Sequence, residues 1–172
     1  ALVAALNFHI FHRHADRVTM ANIAQTVNVL QAMVLTDKER MLRTPTFHVF
    51  EMLKVHQGGT YLPLDLETPD YALGDERIPA VSASATRDAD GLVHLSLVNC
   101  DPKRAIDIAC QVNGTSVGSV SGRLLTAEEI NSHNTFDDVD VVVPQAFNGA
   151  RLDAGTLSVT LPAKSVVILH VK

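Results

Sequence analysis

The rhythm of apolar and polar positions changes near Gln57-Gly58-Gly59. Ahead of that point, Ala1 to His12 is apolar nearly all round, which predicts a helix buried on most sides. Arg17 to Ala24 reads as one central strand. It overlaps the uncharged run Val18 to Leu35, the pattern of a strand covered on both faces. Thr44-Pro45 offers a helix start, with Thr44 as N-cap and Pro45 in the first turn. Phe47, Phe50, Met52, Leu53 and Val55 give that helix a broad apolar face, and Gly58 ends it. Helix, buried strand, loop, helix is the repeat of a parallel sheet or barrel. One strand makes no sheet, so its partners are expected upstream.

From Tyr61 onward the pattern is all-β. Strands are predicted at Pro63–Glu67, Ala80–Arg87, Leu92–Asn99, Ala105–Val112, Gly118–Leu125, Val139–Val143, Thr156–Leu161 and Val166–Val171. Turn residues separate them: Asp90-Gly91, Asp101-Pro102, Asn113-Gly114, Asn148-Gly149 and Ala154-Gly155. Val93, Leu95 and Leu97 alternate with His94 and Ser96, as in a sandwich with one face in the core. About 110 residues suffice to close such a core. Thr126 to His133 is read as one helical turn, with Thr126 capping and Glu129 three residues on.

Composition narrows the function. The 172 residues are 47% hydrophobic and 19% charged, with net charge -5. Phosphate binding wants a clustered basic face. The nearest cluster, Lys38-Glu39-Arg40 with Arg43, is broken by acid and reads as a solvated loop, so nucleic acid is not an expected partner. The chain opens on Ala1 without a basic flank or a cleavage site, which argues for a start inside a helix of a longer protein. The uncharged run carries Thr19, Asn22, Gln25, Thr26, Asn28 and Gln31, too many polar groups for membrane depth. Cys100 and Cys110 flank the Asp101-Pro102-Lys103 turn. A hairpin there would set Cys110 opposite about His94, so a disulfide is geometrically poor and a reducing, cytoplasmic location is expected.

Little in the chain carries catalytic chemistry. His9, His12 and His14 form H-x-x-H-x-H, and the first two share a helix face. Zinc wants three or four ligands and only Asp16 is near, so they read as polar positions on a packed helix. His48 and His56 are placed on the packing or exposed face of the second helix, and the eight histidines are spread along the chain. A G-x-S-x-G elbow and a glycine-rich phosphate loop are both missing. In a barrel, chemistry sits at the C-terminal ends of strands. Asp16 lies at the other end of the predicted strand. Gln25 and then Asn28 follow it, with no carboxylate before Asp37. Amides alone cannot protonate a leaving oxygen.

The segments ADRVTMANIAQTVNVLQAMVLTD and TPTFHVFEMLKVHQ resemble the end of the barrel in family fifty-one α-L-arabinofuranosidases. HLSLVNCDP and EEINSHNTFDDVDVVVP resemble the β-sandwich that follows it. The resemblance covers nearly the whole chain. It implies a mainly β fold: an antiparallel sandwich over residues 58–172, preceded by the last strand and helices of a (β/α)8 barrel over residues 1–57. It implies a retaining enzyme that releases terminal arabinofuranose from arabinan and arabinoxylan oligosaccharides. Retention needs two carboxylates roughly 5 Å apart. In the family these are glutamates after the fourth and seventh barrel strands, and this chain begins after the seventh. No catalytic residue is therefore expected here, no cofactor is implied, and the chain alone is expected to be inactive.

In the family's AQ-VNV motif the glutamine, here Gln25, hydrogen-bonds the arabinose ring. An amide both donates and accepts, which suits a sugar hydroxyl. The plainer reading has Gln25 satisfying backbone groups where the strand ends; the motif match favours the sugar. Asn28 is read as tying down the loop. A competing class is a carbohydrate-binding module. The chain has no Trp, and its tyrosines, Tyr61 and Tyr71, make a poor stacking platform. The sandwich is instead expected to be structural, burying the flank of the upstream barrel segment and helping the parent to form homo-oligomers. Residues 1–57 are expected to be poorly ordered or sticky in isolation, because their apolar partners are absent.

Overall fold

The computed structural model describes residues 1–114, 117–153 and 155–172. In chain order the elements are α1 (Leu2–Arg13), β1 (Val34–Asp37), β2 (Arg40–Arg43), α2 (Pro45–Leu53) and a 3-10 turn, Lys54–His56. They are followed by β3 (Thr60–Leu62), β4 (Asp70–Leu73), β5 (Glu76–Pro79), β6 (Val81–Arg87), β7 (Val93–Asn99) and β8 (Ile106–Gln111). The last are β9 (Val120–Leu125), β10 (Gln145–Ala146), β11 (Ala150–Asp153), β12 (Thr156–Leu161) and β13 (Ser165–Val171).

A six-stranded sheet, ordered β10-β9-β13-β7-β6-β3, packs on a three-stranded sheet, β11-β12-β8, and all pairings are antiparallel. Period-two alternation sorts β7 and β13 between two cores. Val93, Leu95, Leu97, Val167, Leu169 and Val171 face the smaller sheet with Leu157, Val159 and Leu161. Val98, Val166 and Ile168 face the helices, against Ala5, Val49, Met52 and Leu53. The six-stranded sheet is thus the middle layer. Helices cover one face and three strands the other.

β7 leads into β8 through a crossover between sheets, not a hairpin. Fully buried Asn99 spans the gap: its Nδ2 donates to the carbonyls of Arg104 (2.9 Å), Leu161 (3.3 Å) and Pro162 (2.9 Å). Its Oδ1 accepts from the amide of Asp101 at 2.9 Å. Asp101 closes the turn by accepting from the amides of Lys103 and Arg104, both at 2.9 Å. The hairpin expected at this turn does not form, because β8 takes β12 as its partner and Cys110 pairs across from Leu157. Both cysteines are free and half-buried.

Other expectations are corrected. Arg17 to Ala24 forms no strand; apolar content suits a central strand only when neighbours stand on either side, and none does among the described residues. Val139 to Val143 is no strand either. Asn134 takes the part of a pairing strand, accepting from the amide of Val142 (2.7 Å) and donating to the carbonyls of Val142 (3.2 Å) and Arg43 (2.8 Å). Thr126 to His133 forms no helical turn, because Thr126 Oγ1 donates to the carbonyls of Ala163 and Lys164 instead of capping. Pro63 to Glu67 is irregular, and Asn148-Gly149 joins strands of different sheets. Ala154, half of another expected turn, lies outside the described residues, while Gly155 has φ 84°. The hairpins β1–β2 and β4–β5 arise where no strands were expected. Lys38, at φ 56°, turns the first, so the charged cluster is a hairpin tip.

Candidate functional site

Thr44 caps α2 as expected, its Oγ1 accepting from the amide of Phe47 at 3.4 Å. α1 forms over the expected span but is covered on one side only: Ala5 and His9 are buried, whereas Val3 is 72% exposed. Between the helices runs the segment that was read as a strand.

This segment is a closed loop. The carbonyl of Thr26 accepts from the amides of Met33 (3.0 Å) and Val34 (3.1 Å), and the amide of Asn28 donates to the carbonyl of Val34 at 3.1 Å. Asn28 Oδ1 accepts from the amide of Thr36 at 2.7 Å and its Nδ2 donates to Thr36 Oγ1 at 2.8 Å. Asn28 thus ties the loop to β1. Asn28 and Gln31 hold φ of 53° and 64°, left-handed backbone for residues that carry a Cβ. Gln25 enters the loop exposed to solvent. Before it, Ala21 to Ala24 line a cleft of about 410 Å3 with Asn7, Phe8, Phe11 and Phe50. Met20 and Leu30 are 77% and 93% exposed, so large apolar side chains flank Gln25 on both sides of the sequence.

Carboxylates are not gathered here. Asp16 is exposed on the turn after α1, and Asp37 pairs with Arg40 at the hairpin tip. Among the described residues no group of three or more His, Cys, Asp or Glu side chains is arranged to hold a metal ion. No described helix is long and apolar enough to cross a membrane. Tyr61 on β3 and Tyr71 on β4 are half-buried and lie in different sheets.

The histidines are not spread evenly: five of the eight gather in one column beside β6. Ser82, Ser84 and Thr86 occupy alternate positions of β6 on its helix-facing side, and each hydroxyl meets an imidazole Nδ1. Ser82 is bonded to His9 at 2.9 Å, Ser84 to His12 at 3.0 Å and Thr86 to His56 at 2.8 Å. The rings of His12 and His56 lie 4.6 Å apart, and His94 follows at 6.3 Å from His56. His94 Nδ1 meets His170 Nδ1 at 2.9 Å across the β7–β13 pair, and its Nε2 donates to Asp88 Oδ2 at 2.9 Å. His14, by contrast, stays exposed beside Arg17. The signal for the column was the threefold spacing of His9 and His12 against the twofold spacing of Ser82, Ser84 and Thr86.

A family model described as the α-L-arabinofuranosidase C-terminal domain matches residues 1–165. The chain belongs to this family. It is similar to an intracellular exo-α-L-arabinofuranosidase from Bacteroides ovatus, 43% identical over all of this chain and 34% of that protein. A crystal structure of the family 51 arabinofuranosidase from Xanthomonas axonopodis pv. citri superposes with a TM-score of 0.97. The two are 49% identical over 99% of this chain and 35% of that one. A family 51 α-L-arabinofuranosidase from Bifidobacterium longum superposes at 0.88, with 25% identity over 99% of this chain and 34% of that one. The chain spans about a third of the length of each relative. The mainly β, antiparallel fold is the one expected, and the family is the one its motifs resembled.

Proposed function

We propose that this chain is the C-terminal part of a retaining exo-α-L-arabinofuranosidase acting on terminal residues of arabinan and arabinoxylan oligosaccharides. The observation that carries the reading is the TM-score of 0.97 at 49% identity, over nearly all of this chain but only 35% of an arabinofuranosidase. In this reading residues 1–57 complete an upstream (β/α)8 barrel and residues 58–172 are a structural sandwich. The acid/base and nucleophile glutamates are upstream, because the loop around Gln25 offers amides and no clustered carboxylate. The exposed Val3, Ile10, Met20, Val27 and Leu30 support the first point: they are large apolar groups awaiting a covering layer.

Gln25 contributes to the sugar subsite by donating to one hydroxyl and accepting from another. Its position supports this role: it enters a loop held in left-handed backbone, the kind of strain that collects at functional sites. The protein works in the cytoplasm, a reading supported by its two free cysteines and the name of its Bacteroides relative.

The test is Gln25→Ala in the chain extended by its upstream coding sequence. Loss of a sugar hydrogen bond lowers kcat/KM on an aryl α-L-arabinofuranoside by about 10- to 100-fold with unchanged thermal stability. Unchanged kcat/KM would remove Gln25 from the subsite.

A further inference from the structure

The seam between the helices and the six-stranded sheet is built in two halves. One half is apolar, Val98, Val166 and Ile168 against Ala5, Val49 and Met52. The other is the imidazole column seated on Ser82, Ser84 and Thr86. We propose that this column is an acid-sensitive latch: the helical layer stays seated while His9 and His56 are neutral and lifts from the sheet when they take up protons, leaving the two-sheet sandwich folded.

Hydrogen-bond supply favours the neutral rings. His9 is fully buried and His56 is 5% exposed. Each ring uses Nδ1 on a hydroxyl, and its Nε2 has no hydrogen-bond partner among the described residues. The tautomer protonated at Nδ1 donates to the hydroxyl and leaves only a lone pair at Nε2. A second proton would create a buried, unpaired N–H on a cation, which is far costlier.

The surrounding charges do not relieve this. α1 brings His12 and Arg13, both repelling a proton on His9. On the other side of His56 stand His12, His9, His94 from β7 and His170 from β13. The Asp88 carboxylate is engaged by His94, and Glu51 of α2 is engaged by Arg123 of β9 and by Lys54. β6 presents only hydroxyls. Burial first, then the neighbouring imidazoles and, for His9, Arg13, lower His9 and His56 from the ordinary 6.5 to about 3, and burial lowers His12 as well.

The direction follows by linkage. The lifted state binds protons near pH 6.5 and the seated state does not until about pH 3, so seating is fully stable above 6.5 and is lost as pH falls through that window. Each such histidine weakens seating about 30-fold between pH 7.5 and 5.0, and the two together about 1000-fold.

The test is hydrogen exchange by mass spectrometry on the 172-residue chain across that range, corrected for intrinsic exchange rates. Protection of residues 5–13 and 54–57, which the seated column is expected to give at pH 7.5 even with the outer apolar face of residues 1–57 bare, is expected to fall about 1000-fold while residues 156–161 on the far sheet remain protected. Flat protection in residues 5–13, or loss of protection in both regions at one pH, would overturn the latch. His9→Gln with His56→Gln keeps an amide for each hydroxyl but cannot titrate. It is expected to flatten the profile to within a few-fold, and an unchanged slope would overturn the assignment to these two rings. Ring NMR of the unsubstituted chain decides without any variant: His9 and His56 titrating near 6.5 with the helix still protected would overturn it too.

Discussion

Asn99 joins the two sheets through a single side chain. At full burial its amide serves three carbonyls and one N–H at the point where the chain leaves one sheet for the other. Asn99→Ala strands these groups where water does not reach. It is expected to cost about 2–4 kcal/mol, read as a lower urea midpoint with unchanged slope. A cost below about 0.5 kcal/mol would mean that water replaces the amide. Asn134 plays a similar part for the segment at Val142. Both are visible in the sequence only as turn-forming residues. Their distant partners, Leu161 and Pro162 for Asn99 and Arg43 for Asn134, lie 62, 63 and 91 residues away, so local pattern could not find them. His9, His12 and His56 are missed for the same reason: their partners are 73, 72 and 30 residues away.

Elements that carry their own burial pattern were legible. Thr156–Leu161 alternates between buried and half-buried or exposed positions and forms at its expected bounds. β7 is buried at every position, yet Val93 to Leu97 still alternate apolar and polar, because one face meets the core between the sheets while the other carries His94 and Ser96 before Val98 joins the helix-side core. Elements that depend on a neighbour were not legible. Val18 to Leu35 has the composition of a central strand, but a strand needs partners, and here the backbone closes on itself through Thr26 and Asn28. β4 and β5 were missed because they are almost wholly exposed and leave no apolar rhythm to read. The two cores predict different mutant phenotypes. Met52 in the helix-side core and Leu157 between the sheets are both nearly fully buried, and truncation of either to Ala costs about 2–5 kcal/mol. Leu157→Ala is expected to lower protection throughout the sandwich. Met52→Ala is expected to expose residues 2–13 preferentially, as hydrogen exchange at neutral pH can resolve. Equal loss everywhere in Met52→Ala would show that the helical layer and the sandwich open as one unit.

At the scale of the molecule, three layers are joined at one sheet whose helix-facing side is half apolar and half imidazole. The sandwich closes both of its sheets with this chain's own residues, whereas α1 and the loop around Gln25 leave large apolar side chains in solvent. The proposed upstream barrel would cover that bare outer face of the helical layer. The most direct check is hydrolysis of an aryl α-L-arabinofuranoside by the 172-residue chain and by the same chain extended with its upstream coding sequence, each verified by intact mass. No turnover is expected from the first and turnover from the second. Turnover by the 172-residue chain that a single carboxylate substitution within it abolishes, or an extended, folded protein that is inactive, would contradict this expectation.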